Sequence, residues 1–249
     1  MNKNIFTVSA LLLSGLLMVS SCKKEDDTPS APQDTAPTVN TPSDADGAFA
    51  AVNTLTHTTV AGFTTTIEIG TAVAWFGTQS TFVDGGTVTC DGETLNKQSG
   101  NSYVYVPTTT TPTGIDFATP LVWDISGNSA NGVPAFTKSH SGSFPSIDDI
   151  SNSGEIATNA DFTLTATGAV SGSDSVIFVV SGPNGSVLKV QGPDVSSCTF
   201  TAAEMGTLGT GSNSGLLQIA PYRLTSEVFS SKKYYFVKEA VVSKFVTLK

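Results

Sequence analysis

The stretch SVIFVVSGPNGSVLKVQ, residues 175–191, decides the fold. Residues 175–180 are a short apolar run rich in β-branched side chains and bounded by turn residues. Such a run reads as a strand packed on both faces rather than as a helix. Gly182-Pro183-Asn184-Gly185 supplies the turn: proline pre-sets one φ, and glycine and asparagine tolerate positive ones. Residues 186–191 return, with Leu188 and Val190 pointing one way.

The same pattern continues outward. Residues 161–166 put Phe162, Leu164 and Ala166 on one face. A short strand follows at 198–201 and one helical turn at 202–208, with further strands at 216–224 and 234–248. Tyr234-Tyr235-Phe236 alternates, so at least one of the tyrosines is expected inside. About seven strands in about 100 residues resembles an immunoglobulin-type sandwich. The layout is also similar to Ig-like accessory modules of cell-surface lipoproteins. That resemblance implies architecture and nothing about function.

Toward the amino terminus, strands are read at 65–69 and 71–76, separated by Gly70. Residues 86–90 alternate, and Asp91-Gly92 is a hairpin turn with a return over 93–97. Residues 102–106 place Tyr103 and Tyr105 on one face. Strands at 120–125 and 133–137 complete this half. Residues 141–154 are rich in Ser, Gly, Asn and Asp and mark a boundary. No amphipathic helix is legible in 47–249. The expected fold class is therefore all-β, with two β-sandwich-like domains, 47–145 and 146–249, the second Ig-like.

Residues 1–21 read as a secretory signal. One lysine near the start precedes an uncharged apolar run over 5–19 and the small pair Ser20-Ser21. The run is shorter than the roughly 20 residues needed to span a bilayer. Val19-Ser20-Ser21-Cys22 resembles the lipobox of bacterial lipoproteins. The resemblance implies cleavage before Cys22 and acylation of its thiol and new amino group. Two or more acyl chains give the stable anchoring that one chain lacks. Lys24-Glu25-Asp26 resembles the surface-export signal of Bacteroidetes-type lipoproteins, implying an outward-facing outer-membrane protein. Residues 22–46, rich in Pro, Thr, Ser and Asp, are expected to form a disordered tether.

Only 13% of residues are charged, and the net charge is −9. There is no basic patch, which disfavours nucleic acid and electrostatic binding to anionic lipid. The acyl group at Cys22 is the expected membrane contact. Cys90 and Cys198 are expected as two separately buried thiols, with a disulfide between the halves as the alternative.

Chemistry is sparse. His57 and His140 sit in Thr- and Ser-rich stretches and read as exposed loop histidines. No G-x-S-x-G elbow is present. Asp84, Asp91, Glu93, Asp116 and Asp124 are candidate paired carboxylates, but most lie at turns, where aspartate bonds local backbone. No metal-ligand spacing appears, and no cofactor is expected. Trp75, Trp123, Tyr103 and Tyr105 remain as candidate sugar-stacking aromatics, with core packing as the competing role. The expected function is non-catalytic binding or structural display at the cell surface, with a glycan or surface protein as ligand. The alternatives are a polysaccharide-capture accessory of a glycan uptake system and a periplasm-facing assembly factor. A hydrolase would need a cleft gathering His57 or His140 with a carboxylate and a serine.

Overall fold

The computed structural model describes residues 42–60, 63–78 and 81–249. Cys22, Lys24, Glu25 and Asp26, and with them the expected anchor and export signals, lie outside the described residues. The protein is all-β. In chain order the strands are β1 (Gly47–Val60), β2 (Phe63–Thr78), β3 (Thr81–Val83), β4 (Val88–Cys90), β5 (Glu93–Thr94) and β6 (Asn96–Lys97). There follow β7 (Tyr103–Tyr105), β8 (Leu121–Ile125), β9 (Phe136–His140), β10 (Asp149–Ile150), β11 (Glu155–Ile156) and β12 (Phe162–Thr167). The last are β13 (Ser175–Gly182), β14 (Gly185–Gln191), β15 (Ser197–Phe200), a short helix α1 (Ala202–Met205), β16 (Gly211–Phe229) and β17 (Lys232–Leu248).

One large sheet runs β14-β13-β16-β17-β1-β2-β7-β6, with β11 added to β17 and β3 to β2. Two smaller sheets have the orders β5-β4-β8-β9 and β10-β12-β15. The large sheet crosses the expected domain boundary because β1 pairs parallel with β17, from Gly47 opposite Tyr234 to Leu55 opposite Val242. The first and last strands of the body thus join the two halves, and 145/146 does not divide the sheet.

Side-chain parity explains the layers. On one face of the large sheet, β17 presents Tyr234, Phe236, Ala240, Val242, Val246 and Leu248. Tyr234 and Phe236 pack with Phe49, Phe76, Val88, Leu121, Trp123 and Phe136, under the four-stranded sheet. Ala240 to Leu248 pack with Phe178, Ile219, Ile150, Leu164 and Phe200, under the three-stranded sheet. The opposite face carries a third cluster of Ala50, Val52, Ile177, Val179, Ala220, Tyr222, Val237 and Val241. Central β17 is therefore buried on both faces from Tyr234 to Val242. In the second half, β10-β12-β15 faces β14-β13-β16-β17 as a β-sandwich, with β11 parallel to β17.

Several local readings hold. Pro183 and Asn184 turn β13 into β14, with Gly182 opposite Gly185. Asp91 and Gly92 both take positive φ, as the two-residue hairpin turn requires. Helix α1 starts with a capping box between Thr201 and Glu204. Other readings need correction. Gly70 does not break a strand. It lies inside β2, opposite Asn53, and the position needs glycine because a Cβ would sit 1.9 Å from the Ile115 carbonyl oxygen. Strand β1 was not legible as an element at all. Residues 42–46, expected in the tether, are held to the body: Asp44 pairs with Lys233 and accepts from the Tyr235 hydroxyl, while Asp46 pairs with Lys232.

The β16–β17 hairpin turns on Ser230 and Ser231, at φ 48° and 68°. Left-handed backbone costs a non-glycine residue roughly 1–2 kcal/mol, and Asn-Gly is the preferred pair there. Ser230→Asn with Ser231→Gly is expected to raise stability by about 1 kcal/mol. Urea denaturation checks this, and an unchanged or lower midpoint would contradict the strain at this turn.

Candidate functional site

The candidate aromatics do not form a binding platform. Trp123 and Tyr103 are fully buried and Tyr105 is buried, all in the core under the four-stranded sheet. Trp123 packs edge-on against Phe49 at 5.2 Å. The Tyr103 hydroxyl donates to Asp84 and accepts from the Gly85 amide. These three side chains are packing groups, a correction of the sugar-stacking expectation: large apolar rings gain most where two sheets close on them. Trp75 is half-buried, on the opposite face of β2 from the residues paired with Tyr103 and Tyr105, and stacks on Phe82 at 5.3 Å.

Three of the candidate carboxylates serve the fold. Lys97, then Tyr103, then the Gly86 amide hold the Asp84 carboxylate well below its usual range. Asp91 accepts from the Ala118 and Val122 amides, and Asp124 accepts from Thr137. Cys90 and Cys198 are free, buried and in different clusters; burial pushes the Cys90 thiol up. Among the described residues no group of His, Cys, Asp and Glu is placed to hold a metal ion.

Neither histidine is an exposed loop residue, contrary to the sequence expectation. His57 lies in β1, where Nε2 donates to the Asp148 carbonyl at 2.6 Å and Nδ1 accepts from Thr66. It ties the long β1–β2 hairpin to the loop before β10. His140 ends β9 and is buried. The Ser- and Thr-rich surroundings concealed both strands.

His140 leads to the site. In β9, Lys138 lies opposite Trp123 and His140 opposite Leu121. Since Trp123 and Leu121 face the core, so do Lys138 and His140. On the large sheet, Arg223 of β16 lies opposite Lys238 of β17, on the face that carries Phe236 and Ala240. These four cationic or titratable groups meet at the seam between the two lobes. A cleft of about 290 Å³ opens there, lined by Lys138, Ser139, His140, Asp174, Arg223 and Thr225 among others.

Most of the polar groups have assigned partners. Lys238 is fully buried and donates to the His140 carbonyl at 2.8 Å and the Gly142 carbonyl at 2.6 Å, closing the seam. Burial, then Arg223, lowers its pKa. Lys138 crosses the seam to Glu227 at 2.5 Å. Asp174 accepts the Leu224 amide at 2.8 Å. Among the described residues every other lysine is in an ion pair. Arg223, the only arginine in the chain, has neither an ion pair nor a hydrogen bond among them. His140 Nδ1 is buried without a partner. Burial, then Lys238, Lys138 and Arg223, pushes the His140 pKa down to about 4, so the ring is neutral at pH 7.

A second cleft, about 400 Å³, lies along residues 151–162. Its polar side chains already serve the fold: Asn152 bonds Thr163 and Thr165, Asp161 caps α1, and Glu155 pairs with Lys249. The seam cleft is therefore the better candidate. Arg223 was missed in sequence, although one signal pointed to it: alternation from Leu217 and Ile219 puts it on the core-facing side of β16. Compared with protein-family models, curated proteins and solved structures, the chain matches none.

Proposed function

We propose that this protein is a lipid-anchored component of the outer envelope, held through Cys22 and carrying a non-catalytic binding body on its surface. The observation that carries the binding role is the seam cleft, where Arg223 stands without an ion pair or hydrogen bond among the described residues. A glycan or a surface protein is the ligand class this reading favours. The anchor rests on the sequence alone, on the lipobox resemblance at 19–22.

A second reading, hydrolysis, is favoured by one fact: the cleft gathers His140, Asp174, Ser139 and Ser141. Its geometry argues against it. Ser139 and Ser141 flank His140 along the chain, so their side chains alternate away from the imidazole. Asp174 is committed to the Leu224 amide. A base with a pKa of about 4 is also poorly matched to neutral-pH catalysis.

Cell fractionation and protease shaving test the proposal. The wild-type chain is expected in the membrane fraction and Cys22→Ser in the soluble fraction. Shaving intact cells is expected to release the body while an inward-facing control lipoprotein survives. Protection until the outer membrane is broken would reject outward display and favour a periplasm-facing assembly role.

A further inference from the structure

We infer that the seam cleft binds the carboxylate of an acidic saccharide, with Arg223 as the anchoring fork. This rests on the binding role proposed above and names its ligand class. The first argument is electrostatic. Arg223 and Lys238 lie directly opposite on adjacent strands, an arrangement that disfavours folding. Lys138 adds a third cation at the same seam. This concentration of positive charge occurs in a chain of net charge −9. Lys138 is paired with Glu227, and Lys238 is turned inward onto two carbonyls, which leaves Arg223 as the group an incoming anion meets.

The second argument is chemical. A planar guanidinium matches a carboxylate through two parallel N–H···O bonds. Asp174 on the cleft wall repels a dianion such as phosphate more strongly than a monoanion, and its carboxylate oxygen not taken by the Leu224 amide accepts hydroxyl donors. Thr225, on the same face of β16 as Arg223, adds a hydroxyl at the rim. A monocarboxylate ringed by hydroxyl groups satisfies all of these, and a uronate residue has that form. His140 lines the same cleft and is buried, and its Nδ1 has no hydrogen-bond partner among the described residues, so a polar group is left over at this seam. At about 290 Å³ the cleft lies at the small end of ligand sites, the size for a terminal sugar rather than a long chain.

Calorimetric titration of the detergent-solubilised full chain is the test. The probes are oligogalacturonate, a neutral galactose oligomer of equal length, and inorganic phosphate. The uronate oligomer is expected to bind, at least tenfold more tightly than either of the others, and to weaken with salt. Arg223→Gln is expected to lose at least tenfold in affinity. Arg223→Lys is expected to fall short of wild type, because a point charge does not supply the fork. Thermal midpoints of both variants are expected at or above wild type, since each is a surface-lined position relieved of crowding or left equally charged. Equal affinity for the neutral oligomer or for phosphate would overturn the carboxylate assignment. So would undiminished uronate binding by a folded Arg223→Gln, or no uronate binding at all. Those failures leave outward display standing, since protease shaving tests it separately.

Discussion

Phe236→Ala is expected to cost about 3–5 kcal/mol, the range for emptying a large ring from a core. It should also destabilise the whole body in one transition. Phe236 is fully buried, stacks on Phe49 at 4.9 Å and lies edge-on to Phe136. It belongs to the carboxy-terminal strand yet completes the core of the amino-terminal half. Deleting its ring therefore damages the lobe furthest from it in sequence. Denaturation followed by tryptophan fluorescence and by far-ultraviolet circular dichroism checks this. Both tryptophans, Trp75 and Trp123, report on the first half, and circular dichroism reports on all strands. Coincident transitions are expected. For the same reason, residues 47–145 alone are expected not to fold, because they lack Tyr234, Phe236 and the pairing partner of β1. Two separated transitions, or a folded 47–145 fragment, would mean two independent domains. Phe245→Ala is the control: that ring is 73% exposed, and its loss should change stability by less than about 0.5 kcal/mol.

Acid should weaken the fold well before carboxylates titrate. The His140 pKa is about 4 in the folded protein against an ordinary 6.5. Between those values the unfolded chain binds a proton that the folded protein refuses, so stability falls as pH falls. The loss from pH 6.5 to pH 4 is about 3 kcal/mol, at 1.36 kcal/mol per unit. Below pH 4 both states hold the proton and this contribution stops growing. Asp84 acts with the same sign below its ordinary 3.8 and Glu204 below its ordinary 4.5, so the interval from 6.5 to 4.5 belongs to the histidine. Urea midpoints across pH 4 to 7 measure the slope. His140→Leu, facing Leu121 across the strands, is expected to flatten it while leaving the acid limb below pH 3.8 in place. An unchanged slope in the variant would show that another group carries the effect.

Much of the body was legible one element at a time. The apolar run at 175–180, the alternation at 161–166 and the turns at Asp91-Gly92 and Pro183-Asn184 are local signals with local causes. Helix α1 is legible because Thr201 and Glu204 satisfy its first amides from within four residues. Strand β1 failed for a physical reason. Its central residues Phe49, Ala50, Ala51 and Val52 are buried on both faces, so no polar alternation marks them, and unlike 176–180 the run is alanine-rich and carries little β-branched signal. The histidines failed differently. A Ser- or Thr-rich context reads as loop, yet His57 and His140 lie on strands whose partners are distant in sequence. The aromatic candidates were ambiguous by nature, since the same rings suit a core and a sugar face, and only the closing sheet decides.

The sequence by itself determined the all-β class, most strands and the turns between neighbours, because each depends on residues close along the chain. Only the tertiary structure decided that both halves share one sheet, that Phe236 serves the far lobe, and that Arg223, Lys238 and His140 meet at a seam. Those facts follow from the parallel pairing of β1 with β17, a contact whose hydrogen bonds join chain segments at opposite ends of the body and so leave no local periodicity to read.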